Sequence, residues 1–210
     1  MNKGIIFDLD GTLWDSSKEV LHAWNEVLES RVGRTYTLED MHSYMGKTLE
    51  EIAAMMLPEY DENQRMEIMA ECGKNEYAYL KKHGGVLFDG LEDMLKRLSE
   101  KYKLFIVSNC QSGYIELFLE YYGLGGYFAD TECPGETGLG KGENIRIIIE
   151  RNKLDRAVYI GDTQGDCNAS DFAGIPFIHA AYGFGKINRE VPSVNGIGGI
   201  EAAVKPYLDE

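Results

Sequence analysis

Gly4-Ile5-Ile6-Phe7-Asp8-Leu9-Asp10-Gly11-Thr12 is the stretch on which the fold turns. Residues 4–9 form a short apolar run of the kind found in buried strands, and it stops at the turn signal Asp10-Gly11-Thr12. Immediately downstream the period changes. From Ser16 onward, Val20, Ala23, Trp24, Val27 and Leu28 share one helical face, and Gly33 marks its end. Thr37 opens a second helix as N-cap, with Asp40 three residues on completing a near capping box. Residues 47–57 read as a third helix closed by Pro58, and 61–82 as a fourth. The stretch 16–83 carries no strand signal.

At His83-Gly84-Gly85 the character changes again. Helix 90–100 is followed by strand 102–107, helix 112–122 stopped by Gly123, and helix 142–152. Strand 157–160, helix 165–173, strand 176–179 and a final helix over about 199–208 complete the chain, with Asn195–Gly199 as a loop. Strand–helix alternation of this kind predicts an α/β fold, a parallel sheet covered on both faces. The helical block is inserted after its first strand. Residues 1–15 and 85–210 are expected to form the α/β core, and 16–84 the helical insert.

Bulk properties narrow the partners. The 210 residues carry a net charge of −14, which disfavours a phosphate backbone and argues against nucleic acid. A small anion can still bind where a metal and a local lysine override the global field. The cysteines at 72, 110, 133 and 167 form no C-x-x-C pair, suiting reduced thiols rather than a zinc or redox motif. The N-terminal run is too short and too quickly acidic for a signal peptide. No stretch approaches the roughly 20 apolar residues of a membrane span. The expectation is a cytoplasmic protein with no membrane partner.

Ligands of open parallel sheets bind beyond the carboxyl ends of the strands. Three such ends are polar here: Asp8 and Asp10 after the first run, Ser108 and Asn109 after Ile106-Val107, and Asp162 and Asp166 after Tyr159-Ile160-Gly161. Taken singly, each is an ordinary turn or cap residue, and Lys141 in its glycine-rich loop an ordinary solvated lysine. Taken together, four carboxylates in one crevice repel unless a cation lies between them. Hard oxygen donors without histidine or cysteine favour Mg²⁺, which is also the usual means of holding a phosphoryl group.

Asp8-Leu9-Asp10-Gly11-Thr12 resembles the nucleophile motif of the haloacid dehalogenase-like superfamily, and Ser108-Asn109, Lys141 and Gly161-Asp162-Thr163-x-x-Asp166 look like its other three motifs. The tail Asn168–Ile175 with Tyr182-Gly183 is similar to the phosphoglycolate-phosphatase-like branch, although Gly142 stands where that branch usually has proline. The resemblance covers residues 4 to about 185. It implies a Rossmann-like core with a helical cap. It implies Asp8 as nucleophile, Asp10 as general acid and base, Ser108 and Lys141 as catalytic partners of the phosphoryl group, and Asn109, Thr12 and Lys47 on the substrate side. Mg²⁺ would be held by Asp8, the carbonyl of Asp10, and Asp162, with Asp166 ligating directly or through water. Thr12 could equally be a helix-preceding cap, and Lys47, in the turn Met45–Thr48, equally a solvated lysine. Trp14 is read as core packing and His22 as structural or surface.

The implied activity is Mg²⁺-dependent hydrolysis of a small phosphorylated metabolite, phosphoglycolate- or sugar-phosphate-like, through an aspartyl-phosphate, by a monomer or weak homodimer. A phosphosugar mutase is the alternative, lowered because relatives of that kind carry histidine where this chain has Val20. Phosphonate cleavage would use Lys18 or Lys47, but Asp10 argues against it and against carbon–halogen chemistry. A non-catalytic binding protein is disfavoured because every motif residue is present.

Overall fold

The structure, a computed structural model, describes residues 1–209. Strand β1 (Lys3–Phe7) leads through a tight turn into the two-residue β2 (Trp14–Asp15). Four helices follow: α1 (Ser17–Val32), α2 (Leu38–Tyr44), α3 (Leu49–Met56) and α4 (Glu62–His83). The chain returns in β3 (Val86–Leu87), then alternates through α5 (Leu91–Ser99), β4 (Lys103–Val107), α6 (Tyr114–Tyr122), β5 (Phe128–Glu132), α7 (Pro134–Thr137), α8 (Lys141–Arg151) and β6 (Arg156–Gly161). It closes with α9 (Gln164–Ala173), β7 (Phe177–Ala180), β8 (Ser193–Val194) and α10 (Ile200–Leu208).

Six strands form one sheet in the order β5-β4-β1-β6-β7-β8, every pair parallel. Ile5, Ile6 and Phe7 of the central β1 are fully buried, as a strand covered on both faces requires. The chain builds outward from β1 to β4 and β5, then jumps back to lay β6 on the other flank. The order therefore reverses between β1 and β6, the topological switch point where such sheets open a crevice.

The helical segment leaves and rejoins the sheet at one place. Trp14 pairs with Leu87 and Asp15 with Val86 in an antiparallel two-strand ribbon. Trp14 is fully buried there, edge-on to Phe118, Tyr114 and Tyr122. Beyond the ribbon, α1 lies along α4, burying Trp24 and Leu28 with Ile68, Met69 and Cys72. Capping boxes start three of the four helices: Thr37 with Asp40, Thr48 with Glu51, and Asp61 with Gln64. Each satisfies two otherwise free backbone amides.

The structure corrects several element boundaries. β1 stops at Phe7 rather than residue 9. Asp8 still donates its amide to Ile160, but the Leu9 carbonyl has turned inward to accept from Leu13 at 2.8 Å. α3 starts at Leu49, so Lys47 lies in the turn before the helix. α6 starts at Tyr114 rather than 112, since Gly113 sits at φ +85°. The strands β5 and β8 escape the sequence pattern because both are sheet edges, and Phe128–Glu132 has only Glu132 buried. A short 3-10 turn, Ile197–Gly199, occupies part of the expected terminal loop.

Candidate active site

The end of β1 brings Asp8 to the crevice and the following turn brings Asp10. Gly11 makes that turn possible: it sits at φ +81°, and a Cβ there would stand 2.4 Å from an Asp162 carboxylate oxygen. Gly183 is as tightly held, its virtual Cβ 2.4 Å from both Asp162 Cβ and the Gly11 carbonyl oxygen. The two glycines let the β1 turn and the segment after β7 close around Asp162, at the end of neighbouring β6.

Asp8, Asp162 and Asp166 are all buried, and each can present a carboxylate oxygen within 4.8 Å of the others. Lys141, the first residue of α8, reaches between two of them. Its Nζ donates to Asp8 Oδ1 at 3.0 Å and to Asp166 Oδ1 at 2.5 Å. Burial alone would discharge this ammonium, but Asp166 and Asp8 hold it charged and raise its pKa above the ordinary lysine value. One cation does not neutralise three carboxylates. Burial and the charge of Asp166 together push Asp8 up to about 7 against the pull of Lys141. Burial, Asp166 and Asp8 push Asp162 well above the usual carboxylate range.

The remaining oxygens differ in how they are satisfied. Asp166 Oδ2 accepts from the amide and hydroxyl of Thr163, the N-cap of α9, at 2.9 and 2.7 Å. Asp162 Oδ2 accepts from the Phe184 amide at 2.7 Å, while its buried Oδ1 has no hydrogen-bond partner in the protein. An orphaned buried carboxylate oxygen costs free energy that a cation would relieve. The donor set is all oxygen, so the residues present fit a hard divalent ion such as Mg²⁺.

Asp10 stands apart from that trio. Its Oδ1 accepts from the Ser16 hydroxyl at 2.6 Å and the Tyr114 hydroxyl at 2.9 Å, which aim the carboxyl into the crevice. Burial raises its pKa above the ordinary aspartate value despite those two donors. Tyr114 is the first residue of α6, and Ser16 precedes α1; neither stands out in the sequence as part of this site.

A cavity of about 180 Å³ opens over these groups, lined by Asp8, Asp10, Ser108, Asn109 and the turn Met45–Thr48, which includes Lys47. The turn is fastened down. Asn109 Nδ2 donates to the Gly46 carbonyl at 2.9 Å, and Gly46, at φ +79°, packs so closely on Thr163 that a Cβ would stand 2.6 Å from its methyl. Thr12 is fully buried and does not line the cavity. His22 lies on the outer face of α1 beside Glu26, and Trp14 in the core, where the sequence reading put them. Among the described residues no helix is long and apolar enough to cross a membrane, and all four cysteines are free.

The profile of the haloacid dehalogenase-like hydrolase family matches residues 5–180. The phosphoglycolate phosphatase of Aquifex aeolicus is 26% identical over 195 residues, spanning 90% of this chain and 89% of that protein. That of Xanthomonas campestris is 28% identical over 187 residues, spanning 87% and 84%. The solved structure of a haloacid dehalogenase-like family hydrolase from Streptococcus pneumoniae superposes with a TM-score of 0.83 at 22% identity, covering 96% of this chain and 97% of its own.

Proposed function

The chain belongs to the haloacid dehalogenase-like hydrolase family, and from that premise we propose that it is a Mg²⁺-dependent phosphatase acting on a small phosphate monoester through an aspartyl-phosphate on Asp8. The observation that carries the reading is the buried Asp8–Lys141–Asp166 arrangement beside an unsatisfied Asp162 oxygen.

In this reading an Asp8 carboxylate oxygen attacks phosphorus and the bond to the ester oxygen breaks. Asp10 delivers its proton to the departing alkoxide. Asp10 then takes a proton from water, the water oxygen attacks phosphorus, and the Asp8–phosphorus bond breaks to release inorganic phosphate. The raised pKa of Asp10 suits a group that must hold a proton near neutrality and give it up on demand. A carboxylate is a weak nucleophile, so position and neutralised charge supply most of the rate. Lys141 holds Asp8 in place as a fixed point charge, and Ser108 and the amides around Leu9 and Asn109 offer hydrogen bonds to the phosphoryl oxygens.

Mg²⁺ would be held by Asp8, the Asp10 carbonyl and Asp162, and when bound would neutralise the charge of the carboxylates and of the phosphoryl group. The Lys141 and Thr163 donors already on Asp166 favour a supporting place for it, behind Lys141. The helical segment 16–84 is read as a cap that excludes water and selects substrate. The relatives named as phosphoglycolate phosphatases support a small phosphorylated substrate. Val20 on the cavity wall, in place of a titratable side chain, favours hydrolysis over mutase chemistry.

The test is release of phosphate from p-nitrophenyl phosphate with Mg²⁺. The wild-type chain should turn it over. Asp8→Asn should lower kcat by about 10³-fold or more while the circular dichroism spectrum is retained. Substantial turnover by that variant would overturn the nucleophile assignment.

A further inference from the structure

Two carboxyls that line the cavity have no part in the chemistry above: Glu50, which is exposed, and Glu76, which is buried. Glu76 belongs to α4, lines the cavity and is 3% exposed. Its Oε2 accepts from the Trp24 indole at 2.5 Å and its Oε1 from the Gln111 amide at 2.9 Å. Both donors are neutral. No lysine, arginine or histidine pairs with it among the described residues, and burial pushes its pKa up to about 7. The cavity wall also carries the apolar and aromatic side chains of Val20, Trp24, Met41 and Ile52.

An uncompensated buried carboxyl is expensive, and one facing open space in a binding cavity is placed to be compensated by what enters. The nucleophile and the phosphoryl-binding amides come from the strand ends and Glu76 from α4, so an ester whose alcohol extends toward α4 brings that end to Glu76. Lys47 is the one cationic side chain lining the cavity among the described residues, and its turn is fastened to Asn109 and Thr163, on the sheet side.

We propose that Glu76 is a specificity-determining residue: it accepts a hydrogen bond from a donor, hydroxyl or ammonium, at the far end of the substrate's alcohol, and selects against a carboxylate there. The inference rests on the phosphatase reading and refines it. Above about pH 7, where Glu76 is ionised, phosphoglycolate, whose far end is a carboxylate, would meet a second negative charge in a low-dielectric wall, and like charges so placed repel strongly. The chain's substrate is therefore a phosphate monoester of a hydroxylated or amino alcohol, in contrast to the substrate named for its curated relatives.

The experiment compares kcat/KM for glycerol phosphate, phosphoethanolamine and phosphoglycolate on the purified chain with Mg²⁺ at about pH 8, where Glu76 is ionised, and repeats it with Glu76→Gln. At least one donor-ended ester should exceed phosphoglycolate by about tenfold or more. Glu76→Gln should shrink that ratio at least severalfold, chiefly through KM. A larger loss on phosphoethanolamine than on glycerol phosphate identifies an ammonium, a larger loss on glycerol phosphate identifies a hydroxyl, and a similar loss on both identifies a site that takes either donor. Phosphoglycolate equalling the others on the wild-type chain, or a ratio unchanged in Glu76→Gln, would overturn the assignment. The wild-type ratio decides alone if the variant does not fold. Failure of the wild-type chain on p-nitrophenyl phosphate as well would remove the phosphatase reading itself, and this inference with it. Turnover of p-nitrophenyl phosphate with the wrong ratio would remove only the role of Glu76.

Discussion

The ammonium of Lys141 stands 3.0 Å from Asp8 Oδ1, although 133 residues separate the two in the chain. Both side chains are almost entirely out of water, at 4% and 2% exposure. The pair is thus a buried one, in which neither charge has an inexpensive alternative in solvent.

Removing the lysine leaves two carboxylates facing each other without a countercharge. Lys141→Met should lower stability by about 3–5 kcal/mol at neutral pH, the usual consequence of breaking a buried ion pair from one side. The loss should shrink as pH falls and the carboxylates take up protons. Chemical denaturation at pH 7.5 and pH 5 measures it; equal loss at both values would mean that Lys141 contributes packing rather than charge.

Divalent cations should stabilise the folded chain whether or not substrate is present. Saturating Mg²⁺ should raise the Tm of the wild-type protein, since a ligand of the native state alone stabilises in proportion to RT ln(1 + [L]/Kd). Asp162→Asn should abolish most of that increment, because Asp162 carries a buried carboxylate oxygen without a partner. EDTA should return the wild-type Tm to its metal-free value and suppress turnover. A Tm indifferent to Mg²⁺ would remove the cation from this site.

Gly46 is a conformational requirement of the turn over the site. Gly46→Ala places a side chain at φ +79° and drives its Cβ against Thr163. The turn must lift, and with it the Asn109 contact. KM for any substrate should rise several-fold while the metal-induced Tm increment stays. Unchanged KM would show that the turn does not govern access.

The pH dependence of stability should carry a signature of Glu76. Its pKa is raised from 4.5 in the free side chain to about 7 in the fold. Between those values Glu76 binds more protons in the native than in the unfolded state, so its contribution to stability falls as pH rises from about 4.5 to about 7 and is constant above. The full excursion is on the order of 3 kcal/mol. Glu76→Gln, which cannot titrate, should remove that part of the slope and leave the part due to Asp8, whose pKa is also raised to about 7. A variant curve parallel to that of the wild type would place the titration elsewhere.

Much of this architecture is written locally. Ile5–Phe7, Leu104–Val107 and Val158–Ile160 are uninterrupted apolar runs, and the acids and polar groups that gather in the crevice directly follow them. Reading the runs as strands is enough to put Asp8, Ser108 and Asp162 at one edge of a parallel sheet. What escapes is long-range and two-sided. Glu76 sits in Asn75-Glu76-Tyr77 of a helix rich in charge, where a glutamate reads as solvated; only contact with Trp24, 52 residues away, and Gln111, 35 residues away, reveals it as buried. Tyr114 meets Asp10 across 104 residues, with no pattern connecting them. The strand β5 hides for the opposite reason, since a sheet edge needs little hydrophobicity.

The ribbon of Trp14–Asp15 against Val86–Leu87 has an evolutionary meaning. Outgoing and incoming chain are side by side at that point, so the parallel sheet closes the same way whatever length of polypeptide lies between them. Replacement of everything from 17 to 83 by a different fold, or by a short loop, would leave the pairing of β1 with β4 and β6 undisturbed. On the proposed reading of 16–84 as a substrate-selecting cap, swapping a module at this fixed socket would trade one substrate for another without rebuilding the chemistry beneath it.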